Sequence, residues 1–159
     1  MIIVQDTREQ KPLDFSNIEG VEKVEVMTLS YGDYTGIVHG CPVPILFCRK
    51  AFGDLWGTFS TADGHRRFKA EMERAKSSNI KLILIIEGTY SEVWDGFERS
   101  QFDGQSMLRL LATLYTKYDL EYIFTESRRV MARRIVDTFS AVERNYQKEQ
   151  TTPLQTGLV

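Results

Sequence analysis

Lys81-Leu82-Ile83-Leu84-Ile85-Ile86-Glu87 is the stretch that decides the fold. Five consecutive aliphatic residues between a lysine and a glutamate lack the alternation of a half-exposed strand and the length of a helix. They predict a central strand buried on both faces. Such a strand needs a covering layer on each side, and its flanks supply helices. Upstream, Phe68, Met72 and Ala75 recur at helical spacing and predict a helix over 64–78. Downstream, Met107, Leu111, Leu114 and Tyr118 mark a second helix that opens near Asp103 or Gly104. Tyr122-Ile123-Phe124 reads as a short strand. Met131, Ile135, Phe139, Val142 and Tyr146 mark a third helix, with Thr125 or Ser127 as its cap.

The first part of the chain is β-rich. Ile2–Gln5 is a β-branched run that closes at Asp6. From Val21 to Leu29, Val24 and Val26 alternate with Lys23 and Glu25, which predicts a half-buried strand. Tyr31-Gly32-Asp33 reads as a turn or bulge. Thr35–Val38 and Val43–Arg49 read as two strands of a hairpin joined through His39-Gly40-Cys41-Pro42. Phe52, Trp56 and Phe59 fall on a short helical segment, and Trp94 and Phe97 in a loop before the second helix. Strands followed by alternating helices and strands predict an α/β sandwich, a mixed central sheet flanked by helices. The domain is expected over 1–147, with a loose polar tail over 148–159.

Composition narrows the function classes. At 159 residues the chain makes one domain. Lys and Arg total 20 against 22 Asp and Glu, a net charge of −2, so global charge makes no case for nucleic acid. No apolar run is long enough to span a membrane. Met1 leads into Ile2-Ile3-Val4 with no basic segment, so no signal peptide is expected. Two cysteines do not make a disulfide scaffold and point to a reducing compartment, cytoplasmic or, in a eukaryote, nuclear. His39, Cys41, Cys48 and His65 match no zinc or protease spacing. Charge is nonetheless segregated. Arg66, Arg67, Lys69, Arg74 and Lys76 face only Glu71 and Glu73, and Arg128, Arg129, Arg133 and Arg134 cluster beside Glu126. Either stretch is a solvated helix face or a surface for a DNA backbone.

Acids at strand ends carry the chemistry. Asp6 closes the first strand, with Arg8 and Glu9 directly after it. Asp33 follows the second strand, Lys50 ends the 43–49 strand, and Asp54 lies just beyond. A strand-end carboxylate beside a strand-end lysine is what metal-assisted phosphodiester hydrolysis needs. The carboxylate holds Mg²⁺, the metal lowers the pKa of a bound water, and the lysine orients that water or neutralises charge. Strand-end Asp and Lys are also common solvated groups, and spacing alone does not choose. Period-two alternation puts residue 48 on the face of Lys50, and an acid would be expected there; the residue is Cys48.

Asp6-Thr7-Arg8-Glu9, Gly32-Asp33-Tyr34, and Cys48-Arg49-Lys50-Ala51-Phe52-Gly53-Asp54, with Arg67 and Leu84-Ile85-Ile86-Glu87-Gly88 after them, resemble the nuclease domain of XPF-type structure-specific endonucleases. That family's signature is D-x-R-E, then G-D-Y, then E-R-K-x-x-x-D, and the likeness spans roughly residues 2–145. The resemblance implies a restriction-endonuclease-like sandwich and a Mg²⁺- or Mn²⁺-dependent nuclease for branched or flap DNA, acting in repair or recombination. By position it makes Asp6 and Asp33 metal-binding or catalytic carboxylates and Lys50 the catalytic lysine. Arg8, Arg49 and Arg67 would meet phosphates, Asp54 would support the basic residues of its motif, and Glu9 would bind metal or hold Arg8.

Two departures from the pattern matter. Cys48 stands where the family has its glutamate, and a thiol is no substitute for a hard oxygen ligand of Mg²⁺. Either the site is weakened, leaving a DNA-binding module or non-catalytic partner, or the cysteine is a substitution. On this reading the chain is slow or inactive, and Cys48→Glu restores cleavage. The family's helicase or helix-hairpin-helix modules are not in this sequence either. Leu108, Leu111, Tyr115, Ile135, Phe139, Val142 and Tyr146 offer more apolar surface than one sheet face needs, which predicts a homodimer.

Overall fold

The structure, a computed structural model, describes residues 1–151, with side chains through Lys148. In chain order the elements are β1 (Ile2–Asp6), β2 (Lys23–Met27), β3 (Tyr34–Val38), β4 (Cys41–Pro42), β5 (Ile45–Lys50), α1 (Phe52–Phe59) and α2 (Ala62–Ser77). They continue with β6 (Lys81–Glu87), α3 (Tyr90–Asp95), α4 (Gly104–Tyr118), β7 (Glu121–Thr125) and α5 (Arg128–Thr151). The strands form a single mixed sheet in the order β2-β1-β3-β5-β6-β7, with β4 paired to β3. β3 runs antiparallel to both β1 and β5, while the β1–β2, β5–β6 and β6–β7 pairs are parallel. The carboxyl ends of β1, β2, β5, β6 and β7 therefore share one edge with the start of β3. Asp6, Asp33, Lys50 and Glu87 all lie along it. The opposite edge holds tight turns: His39 (φ 50°) and Gly40 (φ 75°) close the β3–β4 hairpin, and Asn79 and Asp119 precede β6 and β7 in left-handed conformations.

The apolar run of β6 is buried on both faces, as its composition predicts. Leu84 and Ile86 join Leu46 and Cys48 beneath α1, α2 and α4, whose Trp56, Phe68, Met72, Met107 and Leu111 are buried against them. Ile83 and Ile85 face the other way, with Phe47 and Ile3, and share one core with Met131, Ile135 and Phe139 of α5 and with Leu13 and Phe15 of the β1–β2 connection. The result is three layers, helix, sheet and helix. Gly36 lets α5 settle onto β3, because a Cβ there would lie 2.8 Å from the Phe139 ring.

Several expectations need correction. The 21–29 strand is shorter, and it is an edge rather than half-buried: Val24 is 40% and Val26 60% exposed, because no helix lies over them. The 94–97 region is not all loop. Trp94 sits in α3, which Thr89 and Glu92 open with a reciprocal capping box. The last helix, capped by the Ser127 hydroxyl on the Val130 N–H at 3.2 Å, runs to Thr151. Residues 148–151 are thus helix rather than tail, and 152–159 lie outside the described residues. The surplus apolar surface is largely absent, because Leu108, Leu111, Ile135 and Phe139 are buried within the chain. Among the described residues no helix is long and apolar enough to cross a membrane.

Candidate active site

β5 divides the site between two faces, since successive strand residues point opposite ways. Cys48 and Lys50 look toward α2, whereas Arg49 looks toward the β1–β2 connection and α5.

Arg49 is interior, not a free phosphate ligand. Its side chain is 6% exposed. Nε donates to Glu9 Oε2 at 2.9 Å and Nη2 to Glu9 Oε1 at 3.1 Å, while Nη1 stands 3.5 Å from Glu87 Oε2. Burial raises the Glu9 carboxyl, but the Arg49 guanidinium and the Lys11 N–H outweigh it and hold Glu9 below its usual range. Glu9 thus holds Arg49, not Arg8. Glu87 is shared with Arg128, whose Nη1 is 3.7 Å away and whose Nη2 donates to the carbonyls of Lys11 and Pro12.

Asp6 is the partner of Arg8. Its Oδ1 accepts from the Arg8 Nε at 2.7 Å and the Arg8 backbone N–H at 2.8 Å. Its Oδ2 accepts from Arg8 Nη2 at 3.0 Å and the Leu29 N–H at 2.7 Å. The hydrogen bond from Arg8 leads in pulling its pKa down to about 2, with the two backbone N–H groups adding and burial opposing. In this arrangement Asp6 fastens β1 to the segment after β2, and both its oxygens are already engaged. A folded-state pKa below the unfolded one gives stability that is present above about pH 4 and lost as pH falls toward 2. The shift from 3.8 to about 2 corresponds to about 2 kcal/mol. Asp6→Asn is therefore expected to lose about that much in urea unfolding at pH 7, with the difference closing between roughly pH 4 and pH 2. A difference that stays constant over that range would show that the ion pair is not its source.

Asp33, Cys48 and Lys50 do come together. The Asp33 Oδ2 accepts the Arg49 backbone N–H at 2.6 Å. Burial lifts the Asp33 carboxyl to about 6, with Glu9 and Glu71 adding, against the pull of that N–H and of the Lys50 charge. Burial also pushes the Cys48 thiol far up, so at neutral pH it is an uncharged S–H. Burial works against the Lys50 ammonium, but Cys48 first, and then the charges of Asp33, Glu71 and Asp54, leave its pKa raised, and it stays a firm cation. Its Nζ lies 5.9 Å from the centre of the Phe68 ring. Asp54, exposed in the first turn of α1, reaches Lys50 through its charge. Arg67 stands on α2, largely exposed and paired with Asp63. Beside Lys50 a groove of about 550 Å³ runs between α1 and α2, lined by Lys50, Thr58, Arg67, Glu71 and Arg74.

Glu71 is the residue that the sequence reading missed. Its Oε1 accepts the Gly32 N–H at 2.8 Å, which brings its carboxylate beside Asp33. Gly32 has φ +69°, and a Cβ there would meet Leu46 at 3.0 Å, so glycine presents this N–H where another residue would be strained. The available signal was helical: residue 71 follows Phe68 by three and precedes Ala75 by four, which puts it on the edge of the buried stripe.

Among the described residues, no group of three or more His, Cys, Asp and Glu side chains gathers as a metal cluster. The acids present still suit Mg²⁺, which usually takes one or two carboxylates and fills its remaining positions with water and substrate phosphate. Asp33 and Glu71 are such a pair. A protonated thiol at Cys48 and the saturated Asp6 are not suitable ligands.

Compared with known families, residues 5–137 match the ERCC4 domain. The chain belongs to the ERCC4 domain family. Of solved structures, XPF from Aeropyrum pernix superposes with a TM-score of 0.64 at 20% identity, over 97% of this chain and 72% of that one. XPF from Aeropyrum pernix in complex with DNA gives 0.61 at 18% identity, over 97% and 68%. No curated protein matches. The XPF-type resemblance and the α/β sandwich are thus borne out, and an ERCC4 domain suggests a nuclease or DNA-binding role.

Proposed function

We propose that this ERCC4 domain is a metal-dependent endonuclease that hydrolyses phosphodiester bonds in branched or flap DNA. The observation that carries the reading is the meeting of Asp33 and Lys50 at the carboxyl edge of the sheet, opening on a groove lined by Arg67 and Arg74. Bound Mg²⁺ or Mn²⁺ would supply a water of lowered pKa and charge for the scissile phosphate. Asp33 would hold the metal. Lys50, a firm cation with its Nζ near the Phe68 ring, would orient the attacking water or stabilise the charge that builds on the phosphate. Arg67 and Arg74 would guide the backbone through the groove, and Arg8, exposed beside Asp33, would meet a neighbouring phosphate. Arg129 and Arg133 line a second groove, of about 820 Å³, between α5 and residues 12–18, and would extend the contact with DNA. Support for a homodimer now rests on the exposed Tyr115 and Tyr146.

A second reading, a DNA-binding module without catalysis, is favoured by Cys48 alone. Incubating the purified chain with a labelled flap duplex and with a linear duplex, in Mg²⁺, in Mn²⁺ and in EDTA, separates the two. The nuclease reading expects metal-dependent cuts near the junction. Tight binding of the flap with no product in either metal would leave the binding module.

A further inference from the structure

We propose that Glu71 is the second metal-binding carboxylate of this site, taking from α2 the part that the motif glutamate would have played from β5 at position 48. The inference rests on the nuclease reading and deepens it.

Three observations carry it. First, place: the Gly32 N–H holds the Glu71 carboxylate one residue from Asp33. Second, field: the Glu71 charge acts on Asp33, Cys48, Lys50 and Arg8, which places its carboxylate near the groups that meet at the end of β5. Third, access: Glu71 lines the groove that holds Lys50, Arg67 and Arg74, the path along which a phosphate would arrive. Only one of its oxygens is needed for Gly32, and the other is left for a cation.

The chemistry explains why the exchange is tolerable. A buried neutral thiol offers neither the charge nor the hard oxygen that Mg²⁺ requires. Three carboxylates at Asp33, position 48 and Glu71, with Lys50 as their cation, would repel one another strongly when the metal is away. A small uncharged residue at 48 relieves that repulsion and leaves the two-carboxylate set that Mg²⁺ commonly uses. In this reading Cys48 is the residue that makes room for Glu71, not a lesion.

Mn²⁺ binding to the purified full chain, read from the electron paramagnetic resonance of free Mn²⁺, tests this apart from cleavage. Glu71→Gln retains a carbonyl oxygen for the Gly32 N–H and so should fold, which circular dichroism checks. It is expected to weaken Mn²⁺ binding at least tenfold. Glu73→Gln, exposed on the same helix, should leave it unchanged. The double variant Cys48→Glu, Glu71→Gln returns a carboxylate from the strand and is expected to recover most of the lost affinity. Glu71→Gln binding Mn²⁺ within twofold of the parent would overturn the proposal, as would a parent that binds no Mn²⁺. Cleavage assays on the same proteins keep the two claims apart. Flap cutting with affinity indifferent to Glu71 removes this inference and leaves the nuclease reading. Mn²⁺ held through Glu71 with no cutting in any variant does the reverse.

Discussion

Lys50→Met is expected to reduce cleavage of flap DNA by about 10²–10³-fold, the range seen when one preorganised group that stabilises the charge developing in the transition state is removed. The side chain stands at the end of β5 with its Nζ 5.9 Å from the centre of the Phe68 ring, and methionine, unbranched like lysine, removes the ammonium while keeping a flexible apolar side chain there. Cys48, Asp33, Glu71 and Asp54 together raise the Lys50 pKa against the effect of burial, so the ammonium stays protonated at neutral pH. It therefore acts as a cation and not as a general base, a role that would need the free amine. Arg8, Arg67, Arg74 and the arginines of α5 remain, so binding of the same duplex should change only a few-fold. Gel shift and single-turnover cleavage on one preparation separate the two quantities. Cleavage by Lys50→Met within fivefold of the parent would remove Lys50 from the reaction.

Glu9→Ala should be among the most damaging single substitutions for stability. Arg49 is nearly inaccessible to water, and Glu9 supplies both of its carboxylate hydrogen bonds. Deleting one partner of such a pair leaves a buried charge without its counterion, a loss of about 3–5 kcal/mol. The Glu87 contact at 3.5 Å offsets part of this, because it is longer and more exposed. Replacing both residues by apolar ones, Glu9→Leu with Arg49→Met, removes the stranded charge and should recover much of the loss. Urea unfolding at pH 7 measures all three proteins. A Glu9→Ala loss below 1 kcal/mol would mean that water reaches Arg49 readily.

Much of the scaffold was legible because its signals are local. The aliphatic run of β6 could be nothing but a doubly covered strand, and the helical spacing of Phe68, Met72 and Ala75 named the buried face of α2. α3 escaped because six residues are too few for a periodicity, although Thr89-Tyr90-Ser91-Glu92 with its Thr89–Glu92 capping box was present in the text of the chain. The exposure of Val24 and Val26 was not legible, since alternation says which residues share a face and not whether anything covers it. The same limit applies at the site. The alternation that placed residue 48 with Lys50 also placed Arg49 on the opposite face, but a motif string does not say that Glu9 is waiting there. Glu71 belongs to no motif block. Only the docking of α2 against Gly32 brings it beside Asp33, and that is a contact between residues 39 positions apart.

The two edges of the sheet have different tolerances. Every group discussed as reactive stands where β1, β5 and β6 end and β3 begins, while His39-Gly40, Asn79 and Asp119 turn the chain at the other edge. Gly40 is exposed, and a side chain there would meet nothing within 4 Å. The length of β3, roughly 17 Å at about 3.3 Å per residue, separates it from Asp33. That turn is the natural handle of the molecule. A short peptide insertion or an affinity tag placed between His39 and Gly40 sits at the opposite end of β3 from Asp33, where the protein can be held on a support with its reactive edge facing the solution.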